Sequence, residues 1–191
     1  LDGEALQAAT AELGNAYGAD RVRGVRSNVT DETSVVDSFT FAIREYGGID
    51  ILVSNAGIAS ASPIDETTLA TWQKNMDILA TGYFLVSREG FRLLKRQGRG
   101  GSIVFVGSKN ALVASAGAAA YSTAKAAELH LARCLALEGA ELGIRVNVVN
   151  PDAVIRGSKI WDGDWRQERA GAHGRDPGAE LVEHDRKRSM L

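Results

Sequence analysis

The period of the apolar positions changes several times along the chain. In LDGEALQAATAELG they fall at Leu1, Ala5, Ala8, Ala9 and Leu13, a helical spacing that Gly14 is placed to close. RVRGVRSNV, residues 21–29, alternates as a short strand does. DETSVVDSFTFAIREYGG opens on Asp31 as an N-cap, repeats at Val35, Val36, Phe39, Ile43 and Tyr46, and reaches Gly47 and Gly48. IDILVSNAG is a short, continuous apolar run ending in a turn, the mark of a strand buried on both faces. Residues 66–96 keep a helical period throughout. GSIVFVGS reads as another strand, an Ala-rich helix follows to about Glu141, and GIRVNVVNP is a strand stopped by Pro151. After that the chain is polar and loosely periodic. Helices are expected there, with Arg186, Lys187 and Arg188 on a solvated face.

Strands alternating with helices, the strands continuously apolar, predict an α/β fold. The expected form is a doubly wound parallel sheet of Rossmann type, with helices on both faces. Ligands of such sheets bind beyond the carboxyl ends of the strands. That rule points to the places where apolar runs stop: Asn28, Ser54–Gly57, Ser108 and Asn150.

Bulk properties narrow the reading only slightly. With 191 residues, 45% hydrophobic and 24% charged, the chain fits one globular domain with a real core. A formal net charge of −2 gives no support for nucleic-acid binding. No apolar run is long enough to span a bilayer, and a cytoplasmic protein is expected. The one cysteine, Cys134, lies among apolar residues and is expected to be a buried thiol. His130, His173 and His184 lack metal-ligand spacing, so no metal is expected.

The chemistry centres on YSTAK. Tyr121 and Lys125 are four apart and so share a helix face. An ordinary phenol, with pKa about 10, is a poor base at neutral pH. An ammonium beneath it favours the phenolate and lowers that value. Ser108, thirteen residues earlier at a strand end, can hydrogen-bond the same substrate oxygen. A phenol, an ammonium and a hydroxyl so placed suit hydride transfer, in which an oxygen gains or loses a proton as its carbon gains or loses hydride.

SNAG (54–57) after one strand, Ser108 after the next, YSTAK, and IRVNVVNP after the tyrosine helix resemble, in order and spacing, the short-chain dehydrogenase/reductase family. The resemblance covers residues 1 to about 157. It implies an NAD(P)-dependent oxidoreductase of a small hydroxylated or aldehyde substrate, with Ser108, Tyr121 and Lys125 catalytic. It further implies cofactor contacts from Asn28 and Val29 at a strand end, from the Asn55, Ala56, Gly57 turn, from Tyr121 and Lys125, and from Pro151. Residues 152–191 would form a substrate loop, with Asn110, Asp152 and Trp161 as tentative substrate contacts. The helical stretch 66–96 and the tyrosine helix would be subunit interfaces of a homo-oligomer.

NMDILATGYFLVSRE, GSKNALVAS, HLARCLALEGA and NVVNPDAVIRGSKIW are similar to the dehydrogenase half of bacterial bifunctional rhamnulose-phosphate aldolase/dehydrogenases. That likeness implies a longer protein, with lactaldehyde as its substrate. The alternative is a non-catalytic, dehydrogenase-like scaffold module attached to an aldolase domain.

Three departures qualify the resemblance. The family's glycine-rich phosphate loop is absent: QGRGGS (97–102) precedes a strand instead of joining strand to helix. Residues 1–191 are therefore expected to be a single partial domain, lacking the family's first two strands and its last. Leu79 occupies the slot of the family's relay asparagine; either another polar group substitutes, with Asn110 and Asn75 nearest in sequence, or the relay is not needed, as would fit oxidation of an aldehyde hydrate. Asp152 stands where the family commonly has glycine, either to meet substrate hydroxyls or to form a turn.

Overall fold

The computed structural model describes residues 2–152 and scattered positions between 154 and 183. Helix α1 spans Gly3–Tyr17, capped by the Asp2 carboxylate, which accepts from Ala5 N. It runs past Gly14, which is buried within it, and ends at Gly18. Helix α2 spans Glu32–Tyr46. Asp31 caps it by accepting from Ser34 N, and Gly47, in the left-handed region at φ 79°, stops it. Both ends fall where the sequence predicts.

Strands β1 (Ile51–Ser54), β2 (Gly101–Val106) and β3 (Ile144–Val149) form a parallel sheet in the order β1-β2-β3. Residues 21–29 are not a strand. A strand is a pairing state, and among the described residues no ladder partner lies beside them. Gly24 instead backs onto α1, where a Cβ would press into Leu6 and Thr10.

Between β1 and β2 the stretch expected as one helix has three parts. Helix α3 (Leu69–Asn75), capped by Thr68, passes into a π-helical segment, Met76–Thr81, and then into helix α4 (Gly82–Gln97). Gly82 lets α4 close on the end of the 21–29 segment: a Cβ there would meet Val29 Cγ2 at 3.0 Å. Helix α5 (Ala119–Gly139) joins β2 to β3.

The core lies between the sheet and helices α4 and α5. Tyr83, Leu94, Ile103, Phe105, Ala132, Leu135 and Ile144 interlock there, with the Tyr83 and Phe105 rings edge to face at 5.1 Å. Burying side chains of this size contributes about 1.5–3 kcal/mol each. β1 is not buried on both faces as expected: Ile51 is 67% exposed and Val53 59%. β1 is the edge strand of the described sheet, and α4 covers only its other face, at Leu52. Cys134 is exposed, not buried. The buried stripe of α5 runs through Ala120, Ala124, Glu128, Ala132, Leu135 and Gly139, and Cys134 falls outside that phase. Among the described residues no helix is long and apolar enough to cross a membrane.

Candidate active site

The carboxyl ends of β2 and β3 and the first turn of α5 meet at one place. Past β2, Gly107 N donates to Val149 O and Lys109 N donates to Pro151 O, so the two strand ends stay zipped beyond the sheet. The Asn150 side chain completes the join, accepting from Ser108 N at 3.2 Å. Gly107 makes room for that amide, because a Cβ would run into Asn150 Oδ1 and come within 2.9 Å of Val148 Cγ1. Ser108 is thereby fixed and buried. Its Oγ accepts from Asn110 N and lies beside the Tyr121 phenol, whose ionised form it favours.

Tyr121 lies in the first turn of α5, where the helix dipole favours negative charge. Lys125, one turn on, is 4% exposed. Its Nζ donates to Val106 O and to Glu128 Oε2, both at 2.9 Å, and sits 5.0 Å from the centre of the Tyr83 ring. Tyr83 Oη donates to the same Val106 carbonyl at 2.9 Å. Glu128 is 0% exposed, and its Oε1 has no partner.

The electrostatics correct one expectation. The spacing predicts that Lys125 pulls the Tyr121 phenol down, yet the phenol stands above its ordinary value. Burial raises it most, the Ser108 hydroxyl beside it opposes this, and the Glu128 carboxylate raises it further. Lys125 is engaged by Glu128 at 2.9 Å, and that carboxylate offsets the ammonium's pull on Tyr121. Burial pushes Lys125 down against the pull of Glu128, and pushes Glu128 up to about 7 against the pull of Lys125. Tyr83 is also pushed well up, by burial first and then by Glu128 and Tyr121.

The remaining expected residues divide. Asn55, Ala56 and Gly57 form an exposed turn after β1, with Gly57 close enough to Leu79 that a Cβ would meet Leu79 Cδ2 at 3.3 Å. Val29, Asn55 and Ala56 all line a groove of about 310 Å³. Its body, lined by Val35, Phe39, Leu52 and Val86, is apolar and holds none of Ser108, Tyr121 and Lys125. Asn28 folds a local turn: its Oδ1 accepts from Thr30 N and Oγ1, and its N donates to Ser34 Oγ.

Pro151 is half-buried between the strand ends. Asp152 pairs with Lys109 at 2.5 Å, one residue beyond Ser108, and Asn110 Oδ1 accepts from Ser115 Oγ at 3.4 Å. Asn75 cannot stand in for a relay group, because its amide is engaged by Ser60 and by Thr71 O. Trp161, and most of the 152–191 loop with it, lies outside the described residues.

The sequence reading missed Tyr83, the Val106 carbonyl and Glu128. Glu128 left a signal, a carboxylate on the apolar stripe of α5 three residues after the lysine. Tyr83 left none, since its partner is a backbone carbonyl on a distant strand.

Comparison with known proteins agrees with this geometry. Residues 2–162 match the family described as short chain dehydrogenase. An uncharacterized oxidoreductase of Bacillus subtilis, YuxG, is 54% identical over the whole chain, which spans 28% of that protein. D-threitol dehydrogenase of Mycolicibacterium smegmatis is 36% identical over 85% of the chain and 62% of its own length. Among solved structures, sorbitol-6-phosphate 2-dehydrogenase of Erwinia amylovora superposes with a TM-score of 0.87 at 31% identity, over 96% of this chain and 70% of its own. The chain belongs to the short-chain dehydrogenase family, with the Rossmann-like fold of a parallel sheet and helices on both sides. It spans less than two thirds of the curated relatives named here.

Proposed function

We propose that this domain supplies the acid–base centre of an NAD(P)-dependent oxidoreductase acting on a small hydroxylated or aldehyde substrate. The observation that carries the reading is the Ser108 hydroxyl at the end of β2, set beside the Tyr121 phenol, with Lys125 one helical turn below. The Ser108 hydroxyl orients the substrate oxygen. Tyr121, protonated at neutral pH in this environment, donates its phenolic proton to a carbonyl oxygen; its phenolate accepts the hydroxyl proton in the reverse sense. A bound nicotinamide supplies or removes the hydride at the adjacent carbon.

The residues present fit the cofactor in part. The exposed Asn55-Ala56-Gly57 turn and the Val29 edge offer backbone and side-chain contacts beyond strand ends. Lys125 Nζ uses two of its three N–H groups on protein acceptors and keeps one for a ribose hydroxyl. Among the described residues no glycine-rich strand-to-helix turn is available for a pyrophosphate, and Gly98 leads from α4 into β2.

Two relatives whose names specify threitol and sorbitol 6-phosphate support a small polyhydroxylated substrate. Lactaldehyde belongs to this reading as one candidate. This chain corresponds to 28% of YuxG, which supports a longer natural polypeptide; the aldolase of the sequence resemblance belongs to this reading as a proposal. Exposed Phe84 on α4 and Leu137 on α5 support a homo-oligomer built on those helices.

The test is Tyr121→Phe in the full natural polypeptide. Turnover of lactaldehyde and small polyols is expected to fall at least about 100-fold, while calorimetry finds NAD(P) binding retained. Unimpaired turnover would overturn the reading.

A further inference from the structure

Glu128 is the buried charged group that the proposed reaction does not use. It lies on α5 in a stripe otherwise made of Ala120, Ala124, Ala132 and Leu135, and no solvent reaches it. Only one of its oxygens is engaged, Oε2 with Lys125 Nζ; Oε1 is unpartnered. Burying a carboxylate with an orphaned oxygen is costly, and a glutamine or leucine would avoid the charge. The titratable groups acting with it are Lys125 and Tyr121 on its own helix and Tyr83 on α4. Together they form a closed cluster under the end of β2, stitched by the Val106 carbonyl.

We propose that Glu128 is a positioning residue for the Tyr121–Lys125 pair. As sole counter-ion of the Lys125 ammonium among the described residues, it fixes that ammonium against Val106 and limits how much of its charge reaches the phenol. An ammonium alone attracts the developing phenolate; paired with a carboxylate it acts as a dipole, whose effect falls off faster with distance. Glu128 thereby holds the phenol in its protonated form to higher pH. The inference rests on Tyr121 being the acid–base group.

The experiment titrates tyrosinate by ultraviolet difference absorbance in the full polypeptide without cofactor. The Tyr121→Phe signal is subtracted to isolate Tyr121. Glu128→Gln keeps the shape and an oxygen for Lys125 but removes the charge. Its Tyr121 midpoint is expected to fall by at least about half a pH unit, a threefold change in the equilibrium, and the rise of kcat/KM for oxidation shifts to lower pH with it. If this variant does not fold, Glu128→Asp, which withdraws the carboxylate by one methylene, is expected to move the midpoint the same way by less. An unmoved midpoint in a folded variant overturns the proposal, even if thermal stability changes. Full turnover by Tyr121→Phe overturns instead the acid–base reading beneath it.

Discussion

Replacing Lys125 by methionine is expected to change stability with a sign that depends on pH. Methionine keeps most of the apolar stem and removes the ammonium. Both partners of the pair are buried, Lys125 4% exposed and Glu128 0%, and the Glu128 carboxyl is held at about 7 against an ordinary 4.5. Burial raises it, and Lys125 pulls it partly back. The folded state therefore binds this proton more tightly than the unfolded chain does. The stability from Glu128 is complete below the ordinary value and is lost as pH rises through about 7.

In the methionine variant the downward pull is gone, and the carboxyl keeps its proton to higher pH. Below about pH 6, Glu128 is protonated in both proteins, and only the wild type buries an ammonium facing a neutral partner. There the variant should equal or exceed the wild type. Above pH 7 the wild type gains its ion pair while the variant cannot. The variant then falls behind by about 1.4 kcal/mol per pH unit, toward the ~3–5 kcal/mol of a broken buried pair. Urea unfolding at a series of pH values from about 5.5 to 8.5 measures this directly. A loss of one size at every pH would refute the reasoning, since it would make Lys125 a packing residue whose charge does not matter.

Other substitutions probe the scaffold around the centre. Asn150→Ala removes the acceptor of Ser108 N and should cost about 0.5–1.5 kcal/mol in denaturant, with a larger proportional drop in kcat than the change in stability accounts for. Gly107→Ala forces a Cβ into the Asn150 amide and Val148, and should destabilise by about 1–3 kcal/mol; an unchanged melting temperature would contradict the close approach. Leu79→Asn, restoring the family's relay residue, buries an amide at a 0% exposed position against Gly57. It should cost about 1–3 kcal/mol by chemical denaturation, and equal rates of alcohol and aldehyde oxidation before and after would show that residue 79 has no part in the proton path.

What could be read in the sequence was local. Asp31 and Gly47 mark the ends of α2 because caps act over three or four residues. The apolar runs of β2 and β3 follow from their period, and Ser108, Tyr121 and Lys125 are singled out by spacing taken together with the family resemblance. What could not be read depends on partners. RVRGVRSNV has a strand's alternation and, among the described residues, no ladder to join, so it stays a loop. Cys134 has apolar neighbours in sequence, but the phase of α5 turns it outward. The pull of Lys125 on Tyr121 cannot be read from that pair alone, because Glu128, three residues further along the same face, takes up the ammonium. The π-helical turn at Met76–Thr81 is invisible to a pattern search, since its residues keep an apolar helical stripe.

The Val106 carbonyl receives both the Tyr83 hydroxyl and the Lys125 ammonium, tying two helices to one strand end. Its oxygen belongs to the peptide backbone, so no side-chain replacement at residue 106 can delete it. Position 106 can thus drift among strand-forming residues while the lysine keeps its anchor, whereas an insertion or deletion within β2 would displace that anchor at once. The site is tolerant of substitution here and intolerant of a change in register.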